Sequence, residues 1–295
     1  MELDLAQLRA LSAAVSEGTF EAAARALHVT PSAISQRLRA LEVSTGRVLL
    51  VRSKPVRATE SGRALLRLAR QIDLLTSDAL GELGTGSPGR GVQTVQLAVN
   101  ADSLTTWVLP ALAPFAGEVS FDIHRDDEEH TAALLRSGTV VAAITADAEP
   151  VAGCSVTRLG AMRYRPFAAT SFARRWFSDG PSGPGLAHAP VVVFDRKDDL
   201  QHRYLRERGV DPAGPPTHYV PSSADFLTAI RLGMGWGMLP DLQSRRHEAA
   251  GDLVDVDPAG AIDVSLYWQQ WKLRSPTLDR VAAAVTAAAR SDLTQ

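Results

Sequence analysis

The chain has 295 residues, of which 45% are hydrophobic and 22% are charged, as in an ordinary globular protein of about two domains. Its 31 Lys and Arg residues against 33 Asp and Glu residues give a formal net charge of −2, which excludes a polycation that coats nucleic acid. The single cysteine, Cys154, excludes an intramolecular disulfide framework and a multi-cysteine metal site. No apolar run reaches the roughly 18 residues of a membrane span, and the acidic N-terminus is unlike a signal peptide. We therefore expect no membrane contact and a cytoplasmic location.

The N-terminal segment carries the pattern of three short helices. Its first apolar residues, from Leu5 to Val15, recur at helical spacing. Thr19 and Thr30 are suited to cap the second and third helices, and Pro31 fits the first position of the third. Two short helices joined by a tight turn predict a helix-turn-helix, whereas a small bundle with a solvated polar face is the alternative.

The third predicted helix has a polar face whose side chains suit base edges and phosphates in the major groove. From position 20 to position 57 there are seven basic and two acidic residues, an excess of five positive charges that favours a polyanionic partner. Residues 49–59 predict two short strands, which form a basic wing beside that helix. The candidate DNA-binding residues are Thr19, Thr30, Ser32, Ser35, Gln36, Arg39, Arg52, Lys54 and Arg57.

A long helix is predicted from Thr59 to about position 83. The apolar residues Leu65, Leu68, Ile72, Leu75 and Ala79 have the alternating spacing of a coiled-coil seam. Self-pairing through this seam would place two helix-turn-helix units on one two-fold DNA site, and packing on the chain's own C-terminal domain is the alternative. The glycine-rich residues 84–91 are predicted to be a linker.

Beyond the linker, short apolar runs alternate with amphipathic segments, a pattern that predicts an α/β domain. The predicted strands are residues 95–99, 119–124, 140–145, 164–169 and 191–194. Ligands of open α/β sheets bind beyond the carboxyl ends of the strands, so the residues that follow these strands are candidate ligand contacts. Trp107, Trp236 and Trp268 are candidates to line the ligand cleft, but we expect them to pack in the core.

Segments 19–27, 30–42, 50–52 and 59–62 together resemble the N-terminal signature of LysR-type transcriptional regulators, although Leu50 stands where many members have phenylalanine. The resemblance implies an α-helical winged helix-turn-helix and linker helix, followed by a two-lobed α/β effector domain similar to periplasmic binding proteins. The implied boundaries are 1–58, 59–87 and 88–295, with lobe 1 at about 92–162 and 266–295 and lobe 2 at about 163–265. It also implies a dimer of dimers on double-stranded promoter DNA, in contact with RNA polymerase.

Segments 99–107, 109–114, 189–195 and 266–268 are similar to the branch of this family that senses basic amino acids. That similarity implies L-lysine, L-arginine or L-histidine as the effector, no cofactor, and activation of an amino-acid exporter gene. A LysR-type regulator of another metabolic operon, with a different effector, is the alternative.

The residues that follow the predicted strands have the chemistry to bind a basic amino acid. Its carboxylate would meet a helix N-terminus at residues 103–106, which we expect Asp102 or Ser103 to cap. Its nitrogens need anions, and Glu128 and Asp195 are the preferred pair because of where the family places effector contacts. The acidic run at 126–129 also suits the N-terminus of a solvated helix. The candidate effector-binding residues are Asn100, Asp102, Ser103, Thr106, Asp127, Glu128, Thr145, Asp195, Ser222 and Ser223.

Two other classes of protein fit the sequence less well. An enzyme needs a nucleophile, an acid/base pair or a metal, and the sequence has no GxSxG elbow or HExxH motif. The GxGxxG pattern at residues 84–89 follows a helix instead of a strand, which argues against dinucleotide binding. A plain amino-acid-binding protein would not need the N-terminal helices. We therefore expect a regulator and not an enzyme.

Overall fold

The computed structural model describes residues 3–83, 93–125, 128–178, 180–181 and 183–295, and it describes no side chains for residues 128–130. The predicted linker at 84–91 and Asp127 lie outside the described residues, as does the side chain of Glu128. Within the described residues, no helix is both long enough and apolar enough to cross a membrane.

Residues 3–58 form a head of three helices and a two-stranded wing. Its elements are α1 (Leu5–Ser16), α2 (Phe20–Ala26), α3 (Pro31–Thr45), β1 (Leu50–Val51) and β2 (Arg57–Ala58). Thr19 accepts a hydrogen bond from the Ala22 amide and Thr30 accepts one from the Ala33 amide, so both caps are confirmed. Antiparallel pairing of β1 with β2 forms the predicted wing. The winged helix-turn-helix is therefore confirmed.

The head has a small core of its own, built from one face of each helix. Leu8, Leu11, Ile34 and Leu41 are buried there, as the helical spacing predicts. Leu5 lies outside this core, with half of its surface exposed, because α1 begins at this residue.

The long helix α4 (Glu60–Glu82) connects the head to the rest of the chain, and Thr59 caps it. Only the first part of the predicted seam is covered. Leu65, Leu68 and Ile72 pack against the head core, whereas Leu75 is 40% exposed. The buried residues of α4 lie on another face, where Leu74 joins the core of the C-terminal domain. The helix thus packs on both of its neighbours and leaves part of the seam uncovered.

The first half of the C-terminal domain alternates strands and helices as predicted. Its elements are β3 (Gln93–Val99), α5 (Ala101–Ser103), a π-helical turn (Leu104–Val108), α6 (Leu109–Leu112), a 3₁₀ turn (Ala113–Phe115), β4 (Val119–Arg125), α7 (Glu128–Ser137), β5 (Ala142–Thr145) and β6 (Cys154–Ala169). The second half contains α8 (Thr170–Trp176), α9 (Gly183–His188), β7 (Val191–Val193), α10 (Leu200–Glu207), β8 (Thr217–Tyr219), α11 (Ser223–Arg231), β9 (Gly237–Pro240), α12 (Asp241–Ala249), β10 (Leu253–Asp255), β11 (Ile262–Trp271) and α13 (Pro276–Asp292).

Two long antiparallel strands, β6 and β11, join the domain's two lobes. In lobe 1, β3 lies between β4 and β5 and runs parallel to both, and β11 extends this sheet beside β5. In lobe 2, β6 pairs with β9 and β10, while β7 and β8 form a separate parallel pair. The predicted lobe boundaries at 162/163 and 265/266 fall within β6 and β11. This arrangement confirms the two-lobed effector-domain fold; the likeness to periplasmic binding proteins is an analogy of shape.

The domain core holds the residues for which packing was predicted. Trp107, Trp236 and Trp268 are at most 3% exposed. Cys154 is a free, buried thiol. These four side chains are therefore parts of the core, as expected from their size and polarity.

Candidate functional site

One face of α3 presents the polar side chains predicted to read DNA. Ser32, Ser35, Gln36 and Arg39 follow one another at helical intervals of three, one and three residues, and so they share a face. Of these, Ser32, Gln36 and Arg39 are exposed, and Ser35 is half-buried. A protruding helix face of this composition has the size and chemistry to enter a major groove.

The wing adds positive charge beside that face. Arg52, Lys54 and Arg57 are exposed on or between the two wing strands. The guanidinium carbon of Arg52 lies 5.8 Å from the ring centre of Phe20, which links the wing to the start of α2. Thr19 and Thr30 use their hydroxyls as helix caps, so their side chains support the geometry of the face.

A cavity of about 380 Å³ lies between the two lobes, at the carboxyl ends of β3 and β7. It has the volume of a small-molecule pocket. Its acidic side is formed by Asp102, Asp195, Asp198 and Asp199, its apolar side includes Phe226 and Met238, and Lys197 and Arg203 also line it. The polar and remaining lining residues are Asn100, Ala101, Tyr164, Phe194, Leu200, Pro240, Gln243 and Val264.

Asp102 is held by side-chain donors from the other lobe. It accepts a 2.7 Å hydrogen bond from the Ser223 hydroxyl and a 2.8 Å hydrogen bond from the Tyr164 hydroxyl. Gln243 in turn donates to Ser223, from α12. Burial raises the pKa of Asp102 above its usual range, and the two hydroxyl donors oppose that rise.

Asp195 and Asp198 lie on the loop that follows β7. Asp198 accepts hydrogen bonds from the amides of Phe194 and Leu200, and Asp195 accepts from the amides of Lys197 and Asp198. Burial raises the pKa of Asp198, and the charges of Asp102 and Asp195 raise it further. Three carboxylates therefore share one electrostatic environment, in which a bound cation would be stabilised.

The structure brings together some of the predicted effector contacts and separates others. Asn100, Asp102 and Asp195 line the cavity, and Ser223 contacts it through Asp102. Five predicted residues are not among the lining residues: Ser103, Thr106, Thr145, Ser222 and Ser223.

Their local contacts explain these positions. Thr145 is 3% exposed, and its hydroxyl accepts from the Asp147 amide. Thr106 donates to the Asp102 carbonyl within its own helical turn, and Ser103 is fully buried. The expectation that Asp102 or Ser103 caps this helix is wrong: Asn100 is the cap and accepts from the Ser103 amide at 2.9 Å, which leaves the Asp102 carboxylate turned to the cavity.

Sequence reasoning missed Asp198, Tyr164 and Gln243. The rule that ligands bind beyond strand ends could have identified Asp198, because it follows the predicted strand at 191–194 by four residues. Tyr164 lies inside a strand and Gln243 inside a helix, where no local pattern indicates a ligand contact. The described residues contain no group of His, Cys, Asp and Glu side chains arranged to hold a metal ion.

A winged helix-turn-helix head, a long linker helix and a two-lobed α/β domain with a cavity between its lobes define a DNA-binding regulator with a ligand-binding domain. Family comparison gives the same result: residues 5–63 match the bacterial regulatory helix-turn-helix protein of the lysR family, and residues 89–290 match the LysR substrate binding domain. The chain belongs to the LysR family of transcriptional regulators, and it is therefore a regulator and not an enzyme.

Similar proteins indicate the branch of that family. The chain is 44% identical to a "Lysine export transcriptional regulatory protein LysG" of Corynebacterium efficiens, over 95% of both chains. The crystal structure of ArgP from Mycobacterium tuberculosis shares 44% identity and a TM-score of 0.83, and covers 100% of this chain and 99% of its own. Full-length LysG from Corynebacterium glutamicum with bound effector Arg shares 39% identity and a TM-score of 0.74, over 99% and 100% of the two chains.

Proposed function

We propose that this protein binds promoter DNA through its head and regulates transcription in response to a basic amino acid, L-lysine, L-arginine or L-histidine, bound between its lobes. The observation that carries the proposal is the placement of Asp102, Asp195 and Asp198 around one cavity of suitable volume. A basic amino acid has a cationic α-ammonium group and a basic side chain, an ammonium in lysine and a delocalised guanidinium in arginine, and buried carboxylates bind such groups strongly.

The names of two relatives support this choice of effector and target gene. One is a lysine export regulatory protein, and a second structure holds arginine as its effector. We infer that the regulated gene encodes an exporter of a basic amino acid and that the effector activates it. The protein needs no cofactor in this scheme, because it has only to bind the effector.

The uncovered part of α4 supports assembly through this helix. Leu75 on α4 and Leu83, which follows its last residue, are 40% and 72% exposed, although α4 packs on both neighbouring domains. Pairing of two such helices would bury these side chains and present two heads to one duplex. We infer a dimer of dimers that acts in the cytoplasm, where its promoter and RNA polymerase are found.

Ligand pairs that differ only in charge test the effector proposal. Lysine and norleucine have the same carbon chain, but norleucine lacks the ε-ammonium group; arginine and citrulline form a similar pair. We expect calorimetry to show binding of lysine or arginine, with at least a tenfold preference over the neutral partner. Equal affinity within a pair would contradict a cation site, and would favour the alternative of a different effector.

DNA binding is tested separately with the protein's own upstream region. Fluorescence anisotropy should show specific binding to a labelled upstream fragment, and lysine or arginine should alter the affinity or the footprint. Failure to bind the fragment specifically, with or without amino acids, would overturn the proposed target.

A further inference from the structure

Arg70 is a buried cation that connects three separate parts of the molecule. It lies in the middle of α4 and is only 4% exposed. Its Nη2 donates a 3.0 Å hydrogen bond to the Ser16 hydroxyl, at the end of α1 in the head. Its Nη1 donates to the carbonyls of Gly138 and Thr139, in the turn that follows α7 in lobe 1. One side chain thus links the head, the linker helix and the effector domain.

The charge of Arg70 is held without a direct ion pair among the described residues, since its hydrogen-bond partners are carbonyls and a hydroxyl. Burial lowers the pKa of Arg70 to about 10, and the charges of Asp122 and Asp73 oppose that change. The group therefore stays protonated at neutral pH. A buried guanidinium has lost its hydration, so breaking its hydrogen bonds with the two carbonyls would leave an uncompensated buried charge. These hydrogen bonds therefore stabilise the observed orientation of the two domains.

The backbone of the turn at Gly138 lies directly against the backbone of α4. Gly138 has a φ of +73°, and a Cβ placed on it would lie 2.7 Å from the Cα of Arg67 on α4. This glycine lets α4 approach the turn closely enough for Arg70 to reach both carbonyls. We call the contact of α4 with the turn at 138–139 and with Ser16 the joint. It has two independent components: the backbone contact between α4 and lobe 1, and the Arg70 hydrogen bonds, which also reach the head.

Helix α7 connects this joint to the edge of the sheet where the cavity lies. Strands β3 and β4 are parallel, with Val99 opposite Arg125, so α7 starts at the same edge of the sheet as the cavity. The helix ends at Ser137, immediately before the two carbonyls that Arg70 contacts. None of the described α7 residues lines the cavity, so an effector would act on the guanidinium by a shift of this sheet edge that displaces α7.

We propose that Arg70 is a positioning residue that fixes the angle between the head and lobe 1, and that effector binding is communicated to the head through it. The proposal rests on the proposed function, because it needs an effector in the cavity. It assigns Arg70 no contact with DNA or with the effector.

The test uses three variants of the full chain. Arg70→Met removes the donors and keeps a long side chain, and Ser16→Ala removes only the contact with the head. Arg9→Met is the matched control, because Arg9 joins the head to α4 through Asp73 at 3.2 Å on the surface but does not reach lobe 1. For each variant, calorimetry gives the affinity for lysine and arginine, and anisotropy gives the ratio of DNA affinities with and without the amino acid.

We expect Arg70→Met to bring the ratio of DNA affinities close to one and Ser16→Ala to reduce it several-fold, while effector affinity changes less than about twofold. Arg9→Met should keep the wild-type ratio. An unchanged ratio in Ser16→Ala, or in folded Arg70→Met, would overturn the proposal, and so would a tenfold loss of effector affinity in either. Since Ser16→Ala is a small surface change, the test survives if Arg70→Met does not fold.

A distance measurement separates this proposal from the proposed function. Spin labels at Val43→Cys and Glu118→Cys, in a Cys154→Ala background and diluted with unlabelled chain, report the distance from the head to lobe 1. Both positions are exposed in the wild type. If the wild type responds to no basic amino acid, the proposed function fails, and the distances then decide the role of Arg70. A broader distribution in Ser16→Ala or Arg70→Met, but not in Arg9→Met, supports the joint, and identical distributions overturn it.

Discussion

The Ser223 hydroxyl donates a 2.7 Å hydrogen bond to Asp102, and this bond joins the start of α5 in lobe 1 to the start of α11 in lobe 2. Gln243 holds Ser223 from the other side, and Tyr164 occupies the second oxygen of Asp102. The carboxylate that faces the cavity is therefore also a contact between the lobes. Asp102 is thus positioned both to bind the cationic effector and to hold the two lobes together.

Ser223→Ala should weaken effector binding by about tenfold, since a hydrogen bond to a charged carboxylate contributes at least about 1.5 kcal/mol. The variant keeps the charge of Asp102 and its hydrogen bond with Tyr164, so the loss should be partial. Calorimetry with lysine and arginine measures it. Thr228→Ala is the control, because Thr228 is an exposed residue of the same helix whose hydroxyl bonds only to its own helix; an equal loss in both variants would count against the lobe contact.

Asp198→Asn should reduce the affinity for lysine or arginine at least tenfold, while DNA binding without the effector stays unchanged. The amide has the shape of the carboxylate but no charge for the ligand cation, and its NH2 group cannot accept a hydrogen bond from one of the two backbone amides that hold Asp198. Asp211→Asn is a suitable control, since Asp211 is an exposed carboxylate of the same lobe outside the cavity. Wild-type affinity in Asp198→Asn would remove this residue from the site.

The affinity for the effector should fall as the pH is lowered. Burial raises the pKa values of Asp102 and Asp198, with neighbouring carboxylates adding to the rise for Asp198. A bound cation favours the charged forms and so lowers both pKa values. Binding is therefore tightest above the raised pKa values of the free protein and weakens as the pH falls through them.

Calorimetry between pH 7.5 and pH 5 checks this expectation, because lysine and arginine keep their charges over that range. The pH dependence should be shallower in Asp198→Asn than in the wild type. An affinity that rises towards acidic pH would contradict the carboxylate site.

Arg39→Ala should weaken binding to the upstream fragment and lower the slope of log affinity against log salt by about one, if this exposed side chain contacts a phosphate. Arg174→Ala is the control, because Arg174 is an exposed arginine on α8 in lobe 2. Anisotropy titrations at several salt concentrations give both slopes. An unchanged slope in Arg39→Ala would leave no role for Arg39 at the phosphate backbone.

Gly62→Ala should destabilise the head by about 1–3 kcal/mol, the usual cost of overpacking. A Cβ at this position would collide with the backbone of Leu49, immediately before the wing. Gly81→Ala lies in the same helix with open space around its Cβ, and should be neutral or stabilising by up to about 1 kcal/mol. Thermal unfolding followed by circular dichroism compares them; a gain of stability in both would contradict the close packing of α4 on Leu49.

The head was accessible to sequence reasoning because local rules determine most of it. Thr19, Thr30 and Pro31 act within one turn of their own helices, so their roles could be recognised without knowledge of distant residues. The uniform helical faces of α1 and α3 similarly predicted the buried leucines. Strands β1–β7 were also predicted, although β6 begins ten residues before the predicted start at Tyr164, and strands β10 and β11 were not predicted.

The sequence by itself determined the class of protein, the polar face of α3 and the location of Asp102 and Asp195 beyond strand ends. Only the tertiary structure decided that Asp198 completes the acidic side of the cavity, that Thr145 is buried away from it, and that Arg70 binds two domains at once. The physical reason is separation along the chain: Arg70 and Gly138 meet across 68 positions, and Asp102 and Ser223 across 121. Contacts of that kind depend on how strands and helices pack, and no short segment encodes them.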